Sequence, residues 1–206
     1  MSGRARALRR AFFERPGPEV APDLLNKVLV CGRRAVRIVE VEAYEGARDP
    51  ASHAYRGRTE RNATMFGPPG RLYVYFTYGM HWCANVVCGS PGDATAVLLR
   101  AGAPLRGLAA MRADRPAAGR DRDLCSGPAK LCQALVIDRS LDGANLLSGD
   151  RGVRLVDDGV APPRAPGRSP RVGIRVATER PWRWFVEGDP NVSRGPRPLL
   201  SARDRA

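Results

Sequence analysis

Glu40, Glu42, Tyr44 and His53 are the residues whose types and spacing first suggest chemistry in this chain. In Arg37-Ile-Val-Glu-Val-Glu-Ala-Tyr44 the two-residue period of a strand puts Val36, Ile38, Glu40, Glu42 and Tyr44 on one face. Arg37, Val39, Val41 and Ala43 fall on the other. The first face begins apolar and turns acidic. A strand that leaves a core and delivers a carboxylate, an aromatic ring and then a histidine to one edge suits an active site. The same pattern describes an edge strand with solvated glutamates.

Leu72-Tyr-Val-Tyr-Phe-Thr-Tyr-Gly-Met-His81 is the second such stretch. Tyr73, Tyr75 and Thr77 share one face, so Tyr75 could line a pocket from within a sheet. Tyr78, just before Gly79, falls at a hairpin tip, where a large ring on a basic protein can wedge into a base stack. The alternative is that both rings belong to the core.

The elements that must position these residues read as follows. Val28 to Cys31 and Val36 to Ala43 form paired strands around Gly32-Arg33-Arg34. Residues 45–70 are a long loop carrying His53 and the basic segment Arg56-Gly-Arg-Thr-Glu-Arg-Asn62, and loops this long tend to be functional. Leu72 to Tyr78, His81 to Cys88 and Ala94 to Ala101 are strands rich in aromatic and β-branched residues. Pro104 opens a helix to about Arg115, and Ser126 caps a second helix through Ala134 with Pro128 in its first turn. Residues 159–170 are a proline-rich loop, and Val172 to Ala177 and Trp182 to Val186 are late strands. The expected fold is α+β, a single domain with a curved, mainly antiparallel sheet flanked by helices. Residues 1–18 form a short helix or a mobile basic arm, residues 19–195 the domain, and residues 196–206 a C-terminal tail.

A chain of 206 residues is long enough for a substantial core. It has no apolar run long enough to span a membrane and no secretory signal, so a monomeric cytoplasmic protein is expected, nucleoid-associated if bacterial. Net charge is +13, and Lys27 and Lys130 are the only lysines. That excess favours a polyanionic partner, most often nucleic acid. A coding bias explains the use of arginine but not the excess. Five cysteines without a CxxC pair, and only two histidines, argue against a zinc site and for buried, reduced thiols. Neither a Walker A motif nor GxGxxG is present.

Together, a carboxylate, three rings (Tyr44, His53, Tyr75), a tip tyrosine and a basic surface suit one task. A base is drawn out of duplex DNA and clamped between π-faces while a water is activated beside its sugar. Val39-Glu-Val-Glu-Ala-Tyr44, His53, Arg61-Asn62, Leu72-Tyr-Val-Tyr75, Tyr78-Gly-Met80, Asn85, Val97-Leu-Leu-Arg-Ala101 and Cys125-Ser-Gly-Pro-Ala-Lys-Leu-Cys-Gln-Ala-Leu135 resemble the alkyladenine (3-methyladenine, or N-methylpurine) DNA glycosylases. The likeness runs from about residue 20 to residue 194, in the family's order.

The resemblance implies roles. Glu42 would deprotonate the attacking water, which Arg100 and the Val186 carbonyl help to hold. Tyr44, His53 and Tyr75 would stack on the extruded base, main-chain groups of Ala51 and His53 would read its edge, and Asn85 would crowd a purine 2-amino group. Tyr78 would fill the gap in the duplex. Ser126 and Lys130 lie where the family meets the DNA backbone, and Arg58 and Arg61 of the basic loop join them as expected backbone contacts. Alkylated purines are cationic, which favours electron-rich rings, and no metal or redox cofactor is needed. Double-stranded DNA with alkylated or deaminated purines is the implied partner. His81 departs from the aromatic common in the family, the turn between Asn85 and Arg100 is longer, and residues 150–170 show little family pattern. A damaged-base binding module without catalysis would not need Glu42 with Arg100. A bifunctional glycosylase/lyase would want an active-site lysine, and neither Lys27 nor Lys130 lies in the Glu42 or Tyr75 stretches.

Overall fold

The computed structural model describes residues 5–196; most of the expected C-terminal tail, residues 196–206, lies outside them. The chain folds as α+β around one open sheet in which every pairing is antiparallel. In chain order the strands are β1 (Arg6–Ala7), β2 (Val28–Cys31), β3 (Arg34–Glu45), β4 (Leu72–Thr77), β5 (His81–Cys88), β6 (Thr95–Arg106), β7 (Val153–Asp157), β8 (Gly167–Ser169) and β9 (Arg183–Phe185). Their order in the sheet is β1-β7-β2-β3-β6-β5-β4, with β9 also on β3 and β8 on β9. The helices are α1 (Arg10–Phe13), α2 (Gly17–Leu24), α3 (Leu108–Asp114) and α4 (Pro128–Leu135).

β3 and β6 are long because β3 is rich in β-branched residues, β6 in valine and leucine, and the two pair with each other along nearly their whole length. Their ladder slips on either side of Glu40: Ile38 faces Gly102, Glu40 faces Ala101, and Val41 faces Leu99. One residue of each strand, Val39 and Arg100, is thereby left out of the pairing, which is a bulge in both. Strict alternation along β3 therefore breaks. Val36 and Ile38 before the slip and Val41 and Ala43 after it join the same core, while Glu40, Glu42 and Tyr44 turn to the other face. The change from apolar to acidic along one side of the sequence has this backbone cause.

Alternation does hold in the β4–β5 hairpin. Leu72, Val74, Ala84 and Val86 enter the main core, and Tyr73 faces Asn85 and Tyr75 faces Cys83 on the opposite side. There a smaller cluster, including Ala54, Met65, Tyr73 and Ala96, packs under the loop of residues 46–71.

The N-terminal segment is tied down. Phe13 is fully buried, and truncation of such a ring costs about 3–5 kcal/mol. Pro16-Gly-Pro18 opens α2 instead of ending an arm, since proline fits a first helical turn. Val20, Ala21 and Leu24 of α2 are buried. The Gly17 N–H donates to Thr95 Oγ1 at 2.9 Å, and a Cβ there would sit 2.7 Å from that oxygen, so only glycine allows the approach.

Three sequence expectations are corrected. Pro104 lies in β6, not at a helix start. β5 stops pairing at Leu98, so a residue without an N–H is tolerated on the edge beyond, and α3 begins only after Gly107. Val172 to Ala177 is an irregular segment, not a strand; the strand partner of β9 is β8, inside the proline-rich loop. Ser126 does not cap α4, whose cap is Gly127 without a side-chain bond; Ser126 bridges instead to Ala101. All five cysteines are buried free thiols, as expected. No described helix is long and apolar enough to cross a membrane.

Candidate active site

The slip in β3 sends Glu42 to the cavity side of the sheet, where its carboxylate is fully buried. Oε1 accepts the Val172 N–H at 2.6 Å and lies 3.3 Å from Arg100 Nη1. Oε2 accepts the Tyr44 hydroxyl at 2.9 Å. Burial pushes the Glu42 carboxyl above the ordinary carboxylate range, against the pull of Arg100, the Val172 N–H and the Tyr44 hydroxyl. Burial, and next the Glu42 charge, drive the Tyr44 phenol up, so it stays a donor. A carboxylate offers about four lone-pair directions. Val172, Tyr44 and Arg100 use three of them, which leaves one on Oε2.

Glu40 is not a solvated edge residue. It is fully buried, and its Oε1 accepts from Arg100 Nε and Arg183 Nε, each at 2.7 Å, and from the Ser193 hydroxyl at 2.9 Å. Its Oε2 accepts the Ser193 N–H at 2.7 Å. Burial opposes the charge, but Arg100 and then Arg183 outweigh it and hold Glu40 below its ordinary value. Glu40 thus anchors Arg100, which reaches past it to Glu42.

Glu42 stands behind the wall of a cavity of about 420 Å³, and its three partners, Tyr44, Arg100 and Val172, line that cavity. Tyr73 and Tyr75 stack with centroids 5.5 Å apart, and His53 meets the Tyr75 ring edge-on at 4.4 Å. Burial and the Arg61 charge hold the His53 imidazole below its ordinary value, and Nδ1 lies 3.3 Å from the Tyr73 hydroxyl. Asn85, on the floor, donates from Nδ2 to the Tyr73 carbonyl at 3.3 Å. Asn62 pins the His53 loop, donating to the His53 and Gly57 carbonyls. Ala51 and His53 both line the cavity, and among the described residues no group bonds to the Ala51 carbonyl or the His53 N–H. The opposite wall is the irregular segment of residues 172–176.

Tyr78 stands at the β4–β5 tip, 81% exposed, in the left-handed conformation at φ +51°, followed by Gly79 at φ +66°. A tyrosine held there costs about 1–2 kcal/mol and buries almost nothing, so its place is not explained by packing. Phe76 and Trp82 pack together behind it at 4.7 Å. The tip borders the cavity mouth. On the far side of Arg100 lies a second cavity of about 550 Å³, lined by Arg100, Arg120, Arg122, Lys130 and Arg194 with Ser126. Asp123, paired to Arg120 at 2.8 Å, also lines it.

Tyr44, Ala51, His53, Tyr75, Tyr78, Asn85 and Arg100 thus line one cavity with Glu42 directly behind it. Ser126 and Lys130 lie together in the neighbouring groove. Arg58 is exposed on the loop, and Arg61 donates to the Phe76 carbonyl at 2.8 Å beside the Tyr75 ring. Val186 does not line the cavity; its N–H donates to Val39 and its carbonyl accepts from Asp189 at 3.2 Å. Sequence reasoning passed over Tyr73, which shares the face of Tyr75 by simple alternation. It also passed over Asp49, Arg171 and Val172, for which the sequence carries no local signal.

A family profile described as methylpurine-DNA glycosylase matches residues 11–190. Three relatives carry the name "Putative 3-methyladenine DNA glycosylase". One from Burkholderia lata is 61% identical over 187 residues, covering 90% of each chain. One from Streptomyces avermitilis is 49% identical over 192 residues, again 90% of each chain. One from Methanocella arvoryzae is 46% identical over 194 residues, covering 91% of this chain and 96% of its own.

Proposed function

This chain belongs to the methylpurine-DNA glycosylase family, and we propose that it extrudes alkylated purines from duplex DNA and hydrolyses the N-glycosidic bond with a water that Glu42 activates, leaving an abasic site. The observation that carries this is a buried carboxylate, held on both oxygens, behind a cavity walled by Tyr44, Tyr73, Tyr75 and His53.

A carboxyl raised by burial is a stronger base than one in water, which suits proton abstraction near neutral pH. The open direction on Oε2 is where the water sits. As the sugar develops oxocarbenium character, the Glu42 charge stabilises it, and Arg100 keeps enough of Glu42 ionised to act. The rings favour a cationic leaving base by cation–π attraction, about 0.5–2 kcal/mol. The Ala51 carbonyl and His53 N–H pair with the base edge, and Asn85 fills the space that a 2-amino group would need. The Val186 carbonyl, which accepts one bond from Asp189, has a second lone pair to offer the water. Tyr78 replaces the lost stacking partner, and Ser126, Lys130, Arg58 and Arg61 meet phosphates of the DNA backbone.

Of the two lysines, Lys27 is bonded to Asp157 at 2.7 Å, and Lys130 lines the neighbouring groove. Neither offers an amine in the base cavity, which favours a monofunctional hydrolase over a lyase. The test incubates the protein with duplex oligonucleotides that each carry 3-methyladenine, 7-methylguanine, hypoxanthine or ethenoadenine, and scores abasic sites with and without borohydride. Abasic sites without a trapped covalent adduct are expected. Lesion binding without any abasic product would make it a damage-recognition protein, and a trapped adduct would make it a lyase.

A further inference from the structure

Arg171 is fully buried and makes a two-pronged ion pair with Asp49, also fully buried, through Nη1 at 2.5 Å and Nη2 at 2.9 Å. Three segments that build the cavity meet at this pair. Asp49 accepts the Ala51 N–H at 3.2 Å and the Glu45 N–H at 3.3 Å, which fixes the loop that leads to His53. Arg171 donates to the Ala43 carbonyl at 2.9 Å, on β3 next to Glu42. Its guanidinium lies 4.6 Å from the Tyr44 ring and 5.3 Å from the Trp182 ring. The next residue is Val172, whose N–H holds Glu42 Oε1. Arg171 Nε is buried with no partner among the described residues, a cost that packing alone gives no reason to carry.

We propose that Asp49–Arg171 is a positioning pair that aims the Glu42 carboxylate, by holding the Val172 N–H on Oε1 and the Tyr44 hydroxyl on Oε2. Neither Asp49 nor Arg171 lines the cavity, so each acts through Tyr44 and Val172. The planar fork of Arg171 matters as much as its charge: it bonds Asp49 twice and Ala43 once while standing over the Tyr44 ring. Lysine keeps the charge but has neither the fork nor the flat face. The proposal rests on Glu42 being the general base.

Arg171→Lys and Asp49→Asn are compared with wild type in single-turnover excision across pH, alongside thermal unfolding and lesion-DNA affinity. The groups that face Glu42 are Arg100, Tyr44, the Val172 N–H, Glu40, Tyr75 and Cys83, and the first three favour its ionised form. A displaced Val172 N–H weakens that support, so the Glu42 pKa rises further and the acid limb of the rate moves to higher pH. The plateau rate should fall by about 10²-fold, the loss expected of a misplacement near 1 Å. Affinity for lesion DNA should change little. The same two substitutions are then made in a Glu42→Gln background. There they should cost far less than in the wild-type background, because the carboxylate they aim is gone. Equal losses in both backgrounds, or an unmoved acid limb, would overturn the positioning role and leave the pair a purely structural one. If Glu42→Gln alone excises at near wild-type rate, it is the general-base assignment that fails, which separates the two outcomes.

Discussion

Replacing Glu42 by glutamine removes one charge from a carboxylate without solvent exposure and turns one of its two acceptors into a donor. The Val172 N–H at Oε1 is a fixed donor, whereas the Tyr44 hydroxyl at Oε2 can rotate and accept. The glutamine therefore settles with its carbonyl on Val172 and its amide on Tyr44, and no polar atom is orphaned. Arg100 keeps Glu40 at 2.7 Å, so its charge is not stranded. Stability should change by no more than about 1 kcal/mol. Chemistry should change far more. General base catalysis is worth about 10²–10⁴-fold, or roughly 3–5 kcal/mol of barrier at about 1.4 kcal/mol per decade. Loss of the negative charge beside the sugar cation deepens the fall.

The assay is single-turnover excision from a duplex carrying one lesion, with lesion-DNA affinity measured in parallel. The pH profile adds a second readout. Burial raises the folded-state pKa of Glu42, so the wild-type rate climbs as pH rises through that raised value, and the variant should lose this limb. The stability sign runs the opposite way. A carboxyl raised on folding adds stability below its unfolded pKa and loses it as pH rises through the folded one, a dependence that glutamine abolishes. A variant that folds, binds and still cuts within tenfold of wild type would refute the general-base role.

Glu40→Gln is the companion. It removes one charge from two buried guanidiniums and should cost about 3 kcal/mol, roughly a 6–12 °C drop in melting temperature, read by calorimetry. In the fraction that stays folded, excision should fall less than in Glu42→Gln. Tyr78→Gly should leave stability within about 1 kcal/mol, since relief of the left-handed tyrosine offsets the added chain entropy, yet slow excision from a stable pair more than from an easily flipped mismatch. Equal slowing on both pairs would deny a wedge role. Asn85→Ser should increase release of normal guanine from undamaged DNA while adenine-type excision survives. Lys130→Ala should lower the slope of log affinity against log salt by about 0.9, the value for one phosphate contact, and an unchanged slope would remove Lys130 from the DNA interface.

Much of this architecture is legible in the sequence because period-two patterning survives wherever the ladder is regular. The β4–β5 hairpin shows it: Tyr73 and Tyr75 face the cavity while Leu72 and Val74 face the core. The misreadings fall where non-local partners decide. Pro104 reads as a helix start but sits in a strand whose outer edge has lost its neighbour. Val172 to Ala177 has strand composition, yet its main chain is committed to the site: the Val172 N–H bonds a carboxylate, not a neighbouring strand. Glu40 and Glu42 look alike in sequence and part only in space, one bound by two arginines and the other beside an aromatic cavity. Nothing local marks Asp49 and Arg171 as partners across 122 positions.

The paired bulges at Val39 and Arg100 make chain length itself a catalytic parameter. Each strand carries one surplus residue, and together the two surpluses deliver the acid and the guanidinium to the same side of the sheet. Were Val39 drawn into the ladder as an ordinary paired residue, simple alternation would turn the Glu42 carboxylate inward among aliphatic side chains and present Val41 to the cavity. Deleting the surplus residue of β6 would mend the ladder on that side but carry the guanidinium away with it. The surplus residue of β3 therefore sets the face that the carboxylate takes, while the surplus residue of β6 is the guanidinium itself.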